Sequence, residues 1–263
     1  PILLEFWFYW QWLYDPVRPV HFYIYIPLLF FVMYLTMVFT SLLFAKILLI
    51  IVNAFHKPKE GTFLRHPSDK DYRYWSLRST IKRWPVWLAH KFPFPFLDNV
   101  CFKAFGVKTT FTNSLFEGWV DCEFIEFGKN VVVGQGSIIQ SATIVGNLLI
   151  IRKTIIEDNV RIGAHAVVMP GTHIGKNSVL AANSVTIVGQ ELEDEWIYLG
   201  IPAKKYKKNR FFEDILGHTE DVEYLRKKYE ELYIKRYDTH HGIKEKRELK
   251  KEKIEEEKRR MEQ

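Results

Sequence analysis

Two histidines stand within a run of regularly spaced apolar residues, where an imidazole could do acid–base chemistry. His173 immediately precedes the apolar Ile174, so strand alternation directs its side chain to the opposite, outward face. An outward imidazole can accept a proton from a reacting group. A surface histidine that hydrogen-bonds a neighbouring coil is the alternative. His165 stands where neighbouring repeats carry Asn, and this favours a role in a turn.

The run that positions these histidines repeats every six residues. Its apolar positions are Phe127, Val133, Ile139, Val145, Ile151, Ile156, Ile162, Val168, Ile174, Leu180 and, last, Thr186. A small or β-branched residue follows four places later at Val131, Ser137, Thr143, Val160, Ala166, Thr172, Ser178 and Ser184. A fixed short repeat predicts stacked coils, each of three hexads or about 18 residues.

This hexad pattern predicts a mainly β fold, a left-handed parallel β-helix, over residues 107–204. The large residue fills the interior, the small one fits near a corner, and Asn residues such as Asn159 and Asn177 supply corners with positive φ. Residues 107–126 are expected to form an irregular first coil.

The six-residue period slips once, because Ile156 follows Ile151 after five residues instead of six. The apolar run Leu148–Ile151 comes just before the slip, and the cations Arg152 and Lys153 follow it directly. One interpretation is a distorted corner. The other is an excursion from the coils that builds one wall of a site, since irregular connections are often functional.

Composition bounds the remaining possibilities. The 263 residues carry a formal net charge of +6, unevenly distributed, and two cysteines. Cys101 and Cys122 offer neither a disulfide framework nor metal-ligand spacing, so reduced thiols and no metal site are expected. The chain opens on Pro1 without an initiator Met, which suggests a piece of a longer protein.

Residues 1–56 read as a membrane segment. No Asp, Glu, Lys or Arg occurs from Pro19 to Ala45, and a bilayer core needs about 20 apolar residues in a helix. A transmembrane helix is therefore predicted, with a buried core helix as the alternative. The aromatic stretch from Ile2 to Tyr14 is either the end of a preceding membrane helix or an interfacial helix.

Residues 57–106 are basic and aromatic, and residues 205–263 are mostly charged. By the positive-inside rule the basic side faces the cytoplasm, and Tyr72–Lys91 predicts an amphipathic helix on an anionic leaflet. The neighbouring membrane segment makes nucleic-acid binding a poor alternative. The tail is expected to be a solvated helix or disordered.

The hexads followed by Gly200-Ile201-Pro202-Ala203-Lys204 resemble the hexapeptide-repeat acyltransferases. The resemblance implies a trimer with acetyl-CoA or another acyl-CoA in the groove between neighbouring coil stacks. It implies a coenzyme A site at Gly200, Pro202, Ala203, Lys204 and Lys205. Lysines here could contact the coenzyme A phosphates; a solvated loop is the alternative.

A finer resemblance covers roughly residues 20 to 205 and is to the membrane-linked terminal domains of poly-lysine-type peptide synthetases. It rests on the membrane hairpin, the basic Trp/Arg segment, Gly106-Val107-Lys108, Val120-Asp121 and Ile138-Ile139-Gln140. Those domains usually place a His two residues after that Gln, as the general base, but this chain has Ala142. Because flat coil faces form the intersubunit clefts of the family, the resemblance makes His173 the substitute general base.

These patterns predict a membrane-anchored, cytoplasm-facing acyltransferase that moves an acyl group from a coenzyme A or carrier thioester to an amine or hydroxyl. Expected partners are membrane lipid, a small-molecule or peptide acceptor, and further copies of the fold in a homotrimer or tandem pseudo-trimer. The competing hypothesis is a non-catalytic trimerising scaffold of a larger membrane-bound synthetase. Ala142 favours the scaffold, and the Gly200–Lys204 turn favours the enzyme.

Overall fold

A computed structural model describes residues 1–14, 20–91, 96–115 and 118–209, with five positions of the tail. Residues 1–209 form one compact unit and residues 210–263 another. Most of the predicted charged tail lies outside the described residues, and the four-part division at 56, 106 and 204 stays a prediction.

The described residues before the coils form five helices. They are α1 (Ile2–Leu13), α2 (Val20–Ile24), α3 (Ile26–Phe55), α4 (Lys70–Ala89) and α5 (Phe96–Phe105). Among the described residues, α3 is the one helix long and apolar enough to cross a membrane, and 17% of its most apolar 18-residue stretch is buried. Asp69 caps α4 by accepting hydrogen bonds from the backbone N–H groups of Asp71 and Tyr72.

The strands are short and follow the hexads. They are β1 (Gly61–Leu64), β2 (Trp119–Val120), β3 (Ile125–Phe127), β4 (Val132–Val133), β5 (Ile138–Ile139), β6 (Ala142–Val145), β7 (Leu148–Ile151), β8 (Thr154–Ile156), β9 (Arg161–Ile162), β10 (Val167–Val168), β11 (His173–Ile174), β12 (Val179–Leu180), β13 (Glu191–Leu192), β14 (Trp196–Leu199) and β15 (Lys204–Lys208).

The chain visits three parallel ladders in rotation: β2–β5–β10, β3–β8–β11–β13 and β4–β9–β12–β14. His173 pairs with Ile155, 18 residues before it, and with Glu191, 18 residues after it. This spacing confirms coils of three hexads. The bridge from Lys108 to Glu126 extends the second ladder into the expected irregular first coil. The left-handed sense of the coils stays a prediction.

One coil is longer because β6 and β7 leave it as an antiparallel hairpin. Ile138 consequently pairs with Val167, 29 residues later. The hairpin turns at Gly146, whose φ of 58° lies in the left-handed region that favours glycine. Its second strand also pairs with β1. The excursion interpretation of the period slip is therefore right about the backbone, but the excursion begins at Ala142.

The hairpin corrects three predicted interior positions, and one of them is the small position Thr143, which lies in β6. Val145 is 55% exposed, because it lies in the hairpin. Ile151 is buried, but in a separate cluster with Leu149 and Ala142, against which Trp75 packs. Val145 and Ile151 keep the six-residue spacing by coincidence, which is why the sequence pattern misassigned them.

The other hexad positions form the interior of the coils. The apolar positions Ile139, Ile156, Val168, Ile174 and Leu180 are at most 1% exposed. The hydroxyls of Ser137, Thr172 and Ser178 donate to nearby carbonyls; Thr172 Oγ1, for example, donates to Met169 O at 2.7 Å. These contacts explain why the second interior position accepts a hydroxyl residue.

Corner positions adopt the left-handed backbone expected for them. Asn130, Asn159, Asn177 and His165 have φ values of 56°, 59°, 56° and 55°. Asn159 donates to Asn177 Oδ1 at 3.1 Å and accepts from Asn130 Nδ2 at 2.9 Å, so the corners form a ladder between coils. The predicted turn role of His165 is confirmed.

The two ends of the stack are covered differently. Buried residues of α3, α4 and α5, including Val38, Val86 and Phe102, are continuous with the core of the coils at the first-coil end. At the last coil, β14 and β15 form an antiparallel pair. The helices that precede the repeats thus share a hydrophobic core with them.

Candidate functional site

A cavity of about 160 Å³ opens where α4 packs beside the first coil. We call it the Asp121 cavity. It is lined by Trp75, Ser79, Lys82, Arg83, Val86, Trp119, Val120, Asp121, Cys122, Glu123 and Ser141. The helix contributes one wall, the end of β2 and the residues after it contribute the second, and Ser141, just before the hairpin, contributes the third.

Asp121 is held by the residues at which the hairpin leaves the coil. Its Oδ2 accepts the backbone N–H of Ser141 at 2.9 Å and that of Ala142 at 3.3 Å. Burial raises the pKa of Asp121, and the two backbone hydrogen bonds lower it by less. The cavity therefore contains a fixed carboxyl group whose affinity for a proton is above that of an ordinary aspartate.

Glu123 neutralises two buried cations of α4. Its Oε1 accepts Arg78 Nε at 2.9 Å and Lys82 Nζ at 2.7 Å, and the two basic side chains are 2% and 7% exposed. Arg78 also donates to His56 O at 3.2 Å. These two residues face the coils, so they are not available to an anionic leaflet, and the predicted surface role of this basic helix is wrong for them.

The thiol of Cys122 lines the cavity but is not a nucleophile at neutral pH. Burial raises its pKa to about 12, and the nearby Lys82 offsets only part of this effect. A thiol, unlike a thiolate, is a poor nucleophile. Cys101 and Cys122 are both free and buried.

His173 lies on the outer face of the second ladder, as alternation predicted. Its Nε2 contacts Glu157 Oε1 at 2.8 Å and its Nδ1 contacts Glu191 Oε2 at 2.9 Å. Burial would lower the pKa of His173, but the hydrogen bonds to the two glutamates outweigh it and raise the pKa. With both nitrogens engaged, the imidazole would have to release a proton and a partner to act as a base, and that role stays a prediction.

The turn predicted to bind coenzyme A docks on the last coil. Gly200 has a φ of 98°, the Ile201–Pro202 bond is cis, and the N–H of Ala203 donates to Val185 O at 2.8 Å. Lys205 forms an ion pair with Glu193 and lies 4.9 Å from the ring centroid of Trp196. The predicted binding role of these residues stays a prediction.

The structure does not bring this turn and the Asp121 cavity together within one chain. Val120, Ile139, Val168, Val185 and Gly200 follow one another along one side of the stack. Four steps at the usual strand spacing separate the two ends by about 19 Å.

Within the described ranges, no group of three or more His, Cys, Asp or Glu side chains is placed to hold a metal ion. The cavity residues Asp121, Lys82 and Glu123 were not identified as a site from the sequence. Two features of the sequence could have indicated the site: the acids that flank Cys122, directly after β2, and the many Lys and Arg residues of α4.

Comparison with known families locates the repeats. Residues 153–187 match the family described as bacterial transferase hexapeptide (six repeats). This segment is similar to the repeats of hexapeptide transferases. An 81-residue stretch is 37% identical to 2,3,4,5-tetrahydropyridine-2,6-dicarboxylate N-acetyltransferases from Staphylococcus aureus strains bovine RF122 / ET3-1 and JH9, covering 31% of this chain and 32% of each relative. The chain thus spans about a third of the length of these curated relatives.

Solved structures of acyltransferases are also similar. A hexapeptide-repeat acetyltransferase from Vibrio cholerae O1 biovar eltor, complexed with acetyl-coenzyme A, matches with a TM-score of 0.41 and 15% identity over 55% of this chain and 92% of that one. An N-acyltransferase from Bacillus cereus, in complex with dTDP-4-amino-4,6-dideoxyglucose and coenzyme A, matches with a TM-score of 0.30 and 25% identity over 33% of this chain and 53% of that one. Scores below 0.5 do not establish a shared overall shape.

Proposed function

We propose that the chain is a membrane-anchored acyltransferase that moves an acyl group from a coenzyme A thioester to an amine or hydroxyl. The observation that carries this proposal is the hexapeptide-transferase match of residues 153–187, which lies within coils whose 18-residue register the structure describes. The 37% identity to N-acetyltransferases supports the reaction class.

The acyl donor is proposed to lie along the flat coil face, with its phosphates near Lys204 and Lys205. Backbone N–H groups at the coil corners would stabilise the oxyanion that forms at the thioester carbonyl. His173 remains a candidate base, on condition that it leaves Glu157 or Glu191 when a substrate binds.

A homotrimer, or a tandem pseudo-trimer within a longer protein, is proposed from the resemblance to the hexapeptide-repeat acyltransferases. The cavity and the Gly200 turn lie about 19 Å apart in one chain by strand spacing. A neighbouring stack would supply the second wall of a donor groove. The finer resemblance to poly-lysine-type synthetase domains favours the tandem arrangement.

The membrane attachment is proposed from α3 and from the exposed aromatic face of α4. Trp84 and Trp87 stack on each other while 55% and 46% exposed, and Lys91 lies 5.7 Å from the Trp87 ring centroid. Exposed Trp beside Lys is typical of a membrane interface. With basic residues on this side, the coils would face the cytoplasm.

A non-catalytic scaffold is the second candidate. It is favoured by Ala142, which replaces the His expected from the resemblance, and by the engagement of both nitrogens of His173. Such a module would assemble with further copies at the membrane without binding coenzyme A.

Two measurements on the detergent-purified chain separate the candidates. The enzyme proposal expects saturable coenzyme A binding by calorimetry, weakened at least tenfold by the double substitution Lys204→Ala/Lys205→Ala and unchanged by Lys129→Ala, an exposed lysine at another corner. It also expects thiol release from acetyl-CoA with an amine mixture. Absence of both binding and thiol release would support the scaffold. Equal thiol release by His173→Ala and the parent chain would remove His173 as the base.

A further inference from the structure

The Asp121 carboxylate has one oxygen committed to the fold and one available to a ligand. Oδ2 receives the hydrogen bonds from Ser141 N, Ser141 Oγ (3.5 Å) and Ala142 N. Oδ1 has no hydrogen-bond partner among the residues that the structure describes, although Asp121 lines the cavity. An occupant of the cavity can therefore donate a hydrogen bond to Oδ1 without displacing a protein group.

The surrounding charges make Asp121 the unpaired acid of the cavity. Of its two carboxylates, Glu123 is bound by Arg78 and Lys82, whereas Asp121 takes part in no ion pair within the described ranges. The indole rings of Trp75 and Trp119 supply apolar wall. Lys82 and Arg83 also line the cavity, and Lys82 lowers the pKa of Asp121 through space but donates its hydrogen bond to Glu123. A buried carboxylate without a direct ion-pair partner is stabilised by a cation that contacts it, and aromatic rings favour the same charge.

The size of the cavity suits a small ligand or the end of a longer one. A cavity needs a volume of roughly 10–15 Å³ to hold one water molecule. At about 160 Å³, the Asp121 cavity has room for an alkyl amine rather than for a large acceptor.

Carboxylate chemistry favours an amine over a hydroxyl as acceptor. The bound ammonium first loses one proton to solvent, and the neutral amine then attacks the thioester carbonyl with its lone pair, which gives a tetrahedral adduct that carries an acidic N–H⁺. A carboxylate is basic enough to take that proton, and burial, which raises the pKa of Asp121, improves it as a base. A hydroxyl would have to lose its proton during attack, which demands a stronger base.

We propose that the Asp121 cavity is the acceptor site of the acyl transfer, that it takes a primary amine, and that Asp121 Oδ1 accepts the proton which the amine loses. The C–N bond forms, Oδ1 takes the N–H proton, the C–S bond breaks, and the neutral Asp121 returns the proton to the leaving thiolate. The products are an amide and free coenzyme A, and no further reagent is consumed. The proton-transfer part of this inference rests on the proposed function.

A binding experiment tests the amine site without an acyl donor. The full detergent-purified chain is titrated with n-butylamine, and with n-butanol as the neutral analogue, while tryptophan emission is followed. The parent chain should show a saturable change with the amine and none with the alcohol, and Trp119→Phe should reduce it. Asp121→Asn should weaken amine binding at least tenfold. No saturable amine binding, or equal binding by Asp121→Asn, would overturn the assignment.

Asp194→Asn is the matched control. Asp194 also accepts a backbone N–H, from Lys176 at 3.0 Å, but it lies at a corner away from the cavity. It should bind n-butylamine like the parent chain. Far-ultraviolet circular dichroism and the melting temperature of each variant establish that weakened binding is not loss of fold.

Thiol release from acetyl-CoA with saturating n-butylamine tests the proton transfer. Asp121→Asn should lower kcat by about 10²–10⁴-fold at a fixed alkaline pH, where more of the n-butylamine is neutral; Asp194→Asn should not. Turnover that persists in Asp121→Asn would overturn the role of Asp121. Amine binding by a parent chain that releases no thiol would refute the acyl transfer and its proton step together, while the amine site would stand.

Discussion

Replacement of Glu123 by Gln is expected to destabilise the protein strongly. One carboxylate oxygen accepts both Arg78 Nε and Lys82 Nζ, at 2.9 and 2.7 Å, and these two side chains are almost fully buried. Gln keeps the size and one acceptor but removes the negative charge, so two buried cations lose their counter-ion. Removing one partner of a buried ion pair costs about 3–5 kcal/mol of the free energy of unfolding.

Glu126→Gln provides a control with the same chemistry at the surface. Glu126 also binds two lysines, Lys108 and Lys153, but these are 73% and 36% exposed. Exposed ion pairs contribute about 0.2–1 kcal/mol.

Both variants are compared with the parent chain by denaturant unfolding in detergent, followed by near-ultraviolet circular dichroism. A loss for Glu123→Gln no larger than that for Glu126→Gln would refute the reasoning that burial makes this carboxylate essential to the junction of α4 and the first coil.

Three further predictions concern His173, the hairpin and α3. Because the folded pKa of His173 is raised, its stabilising contribution is full below the unfolded pKa of about 6.5 and is lost as the pH rises through the folded value. His173→Gln should therefore cost up to about 1 kcal/mol at pH 5.5 and nothing at pH 9, as measured by unfolding at both pH values; a pH-independent loss would contradict this. Ile139→Ala should cost about 2–5 kcal/mol, whereas Val145→Ala should stay within about 0.5 kcal/mol, and equal losses in denaturant unfolding would contradict the placement of Val145 in the hairpin. The α3 helix should keep the chain in the membrane pellet after alkaline carbonate extraction, and release to the supernatant would contradict a span.

The regular part of the fold was predictable because each hexad repeats one local environment. Ile162, Val168 and Ile174 fill the interior as their spacing requires, and Gly163 follows an interior position because an added Cβ would meet Ala182 N of the next coil at 2.3 Å. Asn at the corners follows from the positive φ that those positions need. These are short-range requirements, and a single sequence displays them.

The candidate site was less predictable because it depends on contacts between distant segments. Arg78 and Lys82 look like surface cations in a basic helix until Glu123, more than 40 residues later, is placed against them. The sequence did not reveal the hairpin, because Val145 and Ile151 keep the six-residue spacing although neither lies in the coil interior. The six-residue period indicates which side chains point into the interior of their own coil. It gives no information about a helix from another part of the chain that packs against that coil.

The central claim is that these hexapeptide coils acylate an amine in the Asp121 cavity. The most direct measurement incubates the full detergent-purified chain with acetyl-CoA and n-butylamine and detects the product by mass spectrometry. The account predicts that the parent chain and Asp194→Asn each form N-butylacetamide and free coenzyme A in equimolar amounts. It predicts that Asp121→Asn forms neither product. No amide from the parent chain above the enzyme-free rate, or undiminished amide from Asp121→Asn, would contradict it.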